Sequence, residues 1–208
     1  MPKKKIKLAP SPKGTTPPAI PKVKVPRADA LAVANEIIGY LDFFFEVRAI
    51  AGSIRRRKTM VSDVEIVYIP KVYKVKRPGE MFAATYNSFL EAMKVLLEEG
   101  YFKKRLSVTG RTGYGVKSQK VWHVDSGIAI DFFRADAFNW WSVFTAKTGG
   151  KDSNVQISAR AKRMGYKWAS EKGGFTKRDT GELVIWVDSE EEIFKFVGLP
   201  YLPPHKRP

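Results

Sequence analysis

Residues 52–65 read "GSIRRRKTMVSDVE". A Gly-Ser pair leads into Arg55, Arg56, Arg57 and Lys58, and two acids, Asp63 and Glu65, close the stretch one residue apart. The second acid lies in the run "VEIVYI" (64–69), whose alternating β-branched residues predict a strand. Residues i and i+2 of a strand face the same way, so Asp63 and Glu65 are expected side by side. Two neighbouring carboxylates repel unless something positive lies between them. The arginines upstream are not obviously placed to supply it.

A third acid bears on the question. Asp131 stands alone in the apolar run "IAIDFF" (128–133), and an isolated carboxylate in a buried strand is costly. If that strand neighbours the first, three carboxylates converge. Hard oxygen donors on one face suit Mg²⁺. Two such ions about 3.5–4 Å apart activate a 3′-hydroxyl and stabilise a leaving pyrophosphate. A bare D-x-E more commonly sits exposed on an edge strand, with an acid such as Asp131 capping a turn. The upstream loop favours convergence. Gly52 lets backbone approach a ligand closely, Ser53 offers a hydroxyl and an N–H, and the arginines offer forked donors that match phosphate oxygens. The G-x-x-x-x-G-K-[ST] pattern of a P-loop is absent.

The rest of the chain sets the context. It has 208 residues, a formal net charge of +16 and no cysteine. The last point excludes disulfide scaffolds and thiolate zinc sites. So large a basic excess points to a polyanionic partner, nucleic acid rather than membrane. No run approaches the roughly 18 apolar residues of a membrane span. Residues 1–26 carry many Lys and Pro and no acid and are expected to form a disordered basic arm. A cytoplasmic location is expected, with "PKKKIK" as a competing nuclear address.

Periodicity predicts an α+β fold. "ADALAVANEIIGYLDFFF" has helical apolar spacing at Leu31, Ala34, Ile37 and Leu41, "EVRAIAG" reads as a strand, and "MFAATYNSFLEAMKVLLEEG" reads as a helix buried through Phe82, Phe89, Met93 and Leu97. "KVWHV" and "IAIDFF" add strands. "SNVQISARAKRMGYKW" looks helical and basic on one face, "ELVIWV" is a strand, and "DSEEEIFKFVGL" is a helix with a Ser189–Glu192 capping box. The expected domains are 27–140, with a mixed sheet and flanking helices, and a small α+β unit over 141–208.

These residues resemble the signature of the nucleotidyltransferase superfamily, most closely the X-family DNA polymerases related to polymerase beta. Gly-Ser, paired arginines and acid-x-acid form the first block. The second runs from Asp131 to Thr148-Gly149, 17 residues on, then Asn154 and Gly165-Tyr166. The third is the ending "DSEEEIFKFVGLPYLPPHKR". The resemblance spans about residues 24–208 and implies a palm followed by a thumb, in the reduced form known from viruses. It implies that Asp63, Glu65 and Asp131 ligate two Mg²⁺ ions, with Mn²⁺ as a substitute, and that Asp131 helps activate the primer 3′-OH. It implies that Gly52, Ser53, Arg56 and the Ser62 backbone hold the triphosphate, with Lys24 as a further phosphate contact. Thr148-Gly149 would lie under the nucleotide sugar and Asn154 would face the minor-groove edge of the base. The implied partners are primer–template or gapped DNA and a dNTP, bound by a monomer.

Several positions depart from the family pattern. Glu65 stands where Asp is usual. Ala146 and Lys147 occupy the usually aromatic sugar-gate positions, which leaves rNTP use open. Ala129 replaces a basic residue, and Ser158 replaces a template-contacting arginine. Neither an N-terminal lyase domain nor a helix-hairpin-helix segment is expected. Three readings follow: a gap-filling DNA polymerase, a template-independent or relaxed-sugar nucleotidyltransferase, and a non-catalytic nucleic-acid-binding module. Arg160, Lys162, Arg163 and Lys167 are candidate DNA contacts, or else a solvated helix face. Trp140 and Trp141 read as core at the domain junction, with stacking on a base as the alternative, "GRTGYGVK" (110–117) reads as a hairpin rather than a phosphate-binding loop, and His123 and His205 carry no assigned chemistry.

Overall fold

The computed structural model describes residues 23–75, 78, 81–82, 84–106 and 112–208. Most of the basic arm and residues 110–111 of the expected hairpin lie outside them. A two-residue strand β1 (Val25–Pro26) leads into helix α1 (Arg27–Leu41), strand β2 (Phe45–Ile50) and the one-turn helix α2 (Gly52–Arg55). Then come β3 (Met60–Val61), β4 (Asp63–Pro70), β5 (Val72–Val75), β6 (Ala84–Asn87) and helix α3 (Ser88–Glu98). Strands β7 (Phe102–Lys104), β8 (Ser118–His123) and β9 (Ala129–Arg134) precede helices α4 (Trp140–Thr148) and α5 (Lys151–Arg163). The C-terminal part adds β10 (Tyr166–Ala169), β11 (Gly174–Lys177), β12 (Leu183–Trp186) and helix α6 (Glu190–Phe196).

Five strands form a mixed sheet in the order β2-β4-β9-β8-β7. Strand β4 pairs antiparallel with β2 and parallel with β9, so the strand carrying the acid pair is internal, not an edge. Its two faces meet different surroundings, as period-2 alternation requires. Val64, Ile66 and Tyr68 join Ile130 and Phe132 of β9 in a core roofed by Ala34 and Ile37 of α1 and Phe89 and Met93 of α3. On the other face Val67, Ile69 and Phe133 pack against Val143 and Phe144 of α4. That second face therefore carries Asp63, Glu65 and Asp131 at one end and α4-covered hydrophobics at the other. Trp140 packs against this second core, as expected, but Trp141 is 37% exposed. A third core joins Ile157 and Ala161 of α5 to Phe175 of β11 and Ile193 and Phe194 of α6, beside the small sheet β10-β11-β12.

One expected element is corrected. Within "MFAATYN" the described residues 81–82 and 84–87 are not helical. Ala84–Asn87 pairs with β5, and the helix starts only at Ser88, where Asn87 Oδ1 accepts the Leu90 N–H at 3.3 Å. A capping Asn terminates the helix toward its N-terminus, and Phe82, expected in the buried stripe, is 80% exposed.

Candidate active site

The four cations of the opening stretch have separate fates. Arg55 leaves the acids altogether. Its two terminal nitrogens donate to both oxygens of Glu190 at 2.8 and 2.7 Å, and Nη1 also donates to Thr148 Oγ1 at 2.6 Å. Its guanidinium carbon lies 4.0 Å over the Phe144 ring. Arg207, almost wholly buried, donates to the same Glu190 carboxylate at 3.0 Å. Burial pushes the Glu190 carboxyl up, but the hydrogen bonds from Arg55 and Arg207 outweigh it and hold the group below its ordinary value. Arg56 also reaches Thr148, donating to its backbone carbonyl. Arg57 and Lys58 are exposed, and Arg57 closes the helical turn with φ 60°.

The register brings the acids to one place. In the β4–β9 pairing Glu65 lies directly opposite Asp131, and Asp63 lies opposite Ala129, so all three acids share one face within two strands. Asp63 and Glu65 are half-buried and Asp131 is 4% exposed. The side chains then diverge. Glu65 Oε2 sits 1.7 Å from where a Cβ on Gly52 would be, so the positive φ of Gly52 and its missing side chain make room for the longer acid. Asp131 turns to Arg105, whose Nη2 lies 2.5 Å from Oδ1. As they stand, no three His, Asp or Glu side chains among the described residues close into a metal-ligand set.

Around the acids gather the other expected residues. The position of a Cβ on Gly149 lies 3.1 Å from Arg56 Nη1 and 4.0 Å from Asn154 Nδ2. Asn154 Nδ2 donates to the Ala146 carbonyl at 2.8 Å, tying α5 to the end of α4. Burial lowers the Arg56 pKa, opposed by the fields of Glu65 and Asp63. Burial also lowers that of Lys147, which lies 4.0 Å over the Phe133 ring and senses Glu65 and Asp131. Ser62 is half-buried at the start of β4, and Lys24 is exposed beside β1. Arg160, Lys162, Arg163 and Lys167 line the outer side of the thumb unit, with Arg160, Lys162 and Arg163 opposite the buried Ser153, Ile157 and Ala161 of α5. A cavity of about 530 Å³ flanks the site, with Lys117, Lys120, Arg134 and Lys147 in its wall.

Several buried side-chain atoms in this neighbourhood have no hydrogen-bond partner among the described residues: Ser53 Oγ, Arg56 Nε and Asn154 Oδ1, and on surrounding arginines Arg105 Nη1, Arg134 Nε and Arg207 Nη2. Buried polar atoms are nearly always satisfied, so each exception calls for an explanation, a catalytic or binding role among them. The first three fall on residues that the resemblance assigns to the nucleotide. Residues 144–208 match the family model of the DNA polymerase beta thumb. A ternary gap complex of Leishmania infantum polymerase beta superposes with a TM-score of 0.68 over 89% of this chain and 71% of that one, at 16% identity. The chain is X-family polymerase-like. Among curated proteins no sequence matches it. Its large sheet is thus the palm, and its C-terminal unit is the thumb.

Within the palm and thumb, sequence reasoning missed Glu190 and Arg105 as parts of the site. Glu190 reads as a first-turn helix acid, which the helix dipole alone explains. Its partner Arg55 lies 135 residues away. Arg105 follows "YFKK" among other cations. Only the register of β7, β8 and β9 shows that it reaches Asp131.

Proposed function

We propose that the chain is a DNA-directed DNA polymerase that adds nucleotides to a primer 3′-OH in short gaps, in the manner of DNA repair synthesis. The observation that carries this reading is the coincidence of three carboxylates on one palm face with Ser53 Oγ, Arg56 Nε and Asn154 Oδ1, buried atoms that have no hydrogen-bond partner among the described residues. Ser53 and Arg56 donate to the terminal phosphates of the nucleotide, as desolvated, fixed donors do best. Arg56, anchored to the Thr148 carbonyl, keeps Thr148-Gly149 next to the phosphate site. Asn154 holds α5 against α4 and presents its amide to the base edge. Asp63, Glu65 and Asp131 fit a pair of Mg²⁺ ions by donor type and shared face, and such ions, when bound, lower the pKa of the primer hydroxyl and neutralise the pyrophosphate. Asp131 would help activate the primer hydroxyl. The exposed cations of α5 and the basic cavity wall track DNA phosphates.

A second reading concerns the sugar. Lys147 packs over Phe133 and Ala146 is small, so neither residue before Thr148 sets an aromatic ring at the turn. This supports use of ribonucleotides beside deoxyribonucleotides. Extension of a primer across a one-nucleotide gap in Mg²⁺, with dNTPs and rNTPs in parallel, tests both readings. Gap filling by the wild type and none by Asp131→Ala is expected. Incorporation that ignores the template base would instead favour a template-independent transferase, and unimpaired extension by Asp131→Ala would sink the mechanism.

A further inference from the structure

The row that crosses the palm sheet at Asp131 is ordered in charge. Glu65 pairs with Asp131, and Asp131 pairs with Lys120. Arg105 lies in line with Lys120, to whose carbonyl its backbone N–H donates at 2.9 Å. Two anions are thus followed by two cations along one line of four residues. Arg105 reaches past Lys120 to place Nη2 2.5 Å from Asp131 Oδ1, whereas Lys120 Nζ stays 4.0 Å from Oδ2. Arg105 is only 9% exposed, its ring neighbour is Trp122 at 5.8 Å, and its Nη1 is buried without a hydrogen-bond partner among the described residues. A guanidinium so enclosed is held by its counter-ion. Yet the oxygen it occupies belongs to one of the three acids read as metal ligands.

We propose that Arg105 is a positioning residue that serves as the resident counter-cation of the metal site. It holds Asp131 Oδ1 while no divalent ion is present and yields that oxygen when one enters. Loading is therefore an exchange of one cation for another at Asp131. The exchange keeps the buried aspartate neutralised throughout and makes metal affinity in the absence of substrate weaker than the three carboxylates alone would give. This inference rests on the reading of Asp131 as a metal ligand.

The test uses the full-length protein without DNA or nucleotide, titrated with Mn²⁺ and followed by the electron paramagnetic resonance of the free ion. Asp131→Asn is expected to weaken binding, which checks the underlying reading. Arg105→Gln, which keeps polarity but removes the competing charge, is expected to bind Mn²⁺ more tightly by on the order of tenfold, because like charges a few ångströms apart penalise each other even at an effective dielectric near 20. The double variant should gain nothing over Asp131→Asn. Arg105→Lys should tighten binding by a smaller factor, since an ammonium makes a single, more mobile contact, and it carries the test if Arg105→Gln melts early. Unchanged or weaker binding in the folded Arg105 variants, with Asp131→Asn still weakened, overturns the exchange alone. Binding indifferent to Asp131→Asn overturns both the ligand reading and the exchange built on it.

Discussion

Replacing Glu190 by glutamine should unfasten the thumb from the palm. Its carboxylate takes two hydrogen bonds from Arg55 and one from Arg207. The side chains are 4% exposed for Glu190, 22% for Arg55 and 0% for Arg207. The amide would keep the volume but leave two guanidinium charges facing each other with no counter-ion. Breaking a buried pair from one side costs about 3–5 kcal/mol, a large share of the roughly 5–15 kcal/mol that holds a domain folded. For a chain of this size that corresponds to a drop in Tm of roughly 6–20 °C. Urea denaturation at pH 7 gives the number directly. The pH dependence adds a sign. The folded pKa of Glu190 lies below its ordinary value, so its stabilisation is complete above that value and is lost as pH falls through the lowered one. The gap between wild type and Glu190→Gln should therefore narrow in acid. A loss under about 1 kcal/mol at neutral pH, or a gap that widens on acidification, would refute the view that this carboxylate clamps the two units together.

Other consequences are equally specific. Gly52→Ala places a methyl on Glu65 Oε2 in a backbone with φ +61°; the left-handed conformation alone costs about 1–2 kcal/mol, and nucleotide addition should fall by more than the stability loss explains, with partial recovery on adding Glu65→Asp. Ser53→Ala should raise the apparent KM for nucleotide with little change in melting temperature, because it removes a phosphate donor whose atom has no partner among the described residues; Arg56→Lys should raise it as well, with a loss of stability from the disturbed contact with the Thr148 carbonyl, and fluorescence titration with a non-hydrolysable triphosphate checks both. Lys147→Phe should lower rNTP incorporation relative to dNTP by about tenfold, the scale of one well-placed steric contact, read from competing single-turnover extensions.

Much of this site is legible in the sequence because it depends on local rules. Alternation puts Asp63 and Glu65 on one face, and the apolar setting of Asp131 marks it as an acid with a task. The capping Ser189 is also found, its Oγ accepting the Glu192 N–H at 3.3 Å. The reciprocal half of the box differs, since Glu192 accepts from the N–H of Asp188 rather than Ser189. What sequence pattern does not carry is pairing across the fold. Three consecutive arginines look alike as letters, yet Arg55 fastens the thumb, Arg56 turns to Thr148 and Arg57 faces solvent. The cation that faces Asp131 is hidden for the same reason, because Arg105 arrives from two strands away. The strand at Ala84–Asn87 is hidden because its apolar residues continue smoothly into the periodicity of α3, and only the Asn87 cap separates them.

The central claim is that Asp63, Glu65 and Asp131, with Ser53 and Arg56 beside them, form a nucleotidyl-transfer site. Single-turnover filling of a one-nucleotide gap in Mg²⁺, comparing wild type with a folded Asp131→Asn, tests it most directly. The expected result is template-matched addition of one nucleotide by the wild type and a loss of at least a thousandfold in the variant, on the scale of removing a group essential to the chemical step. Equal rates for the two proteins would contradict the account.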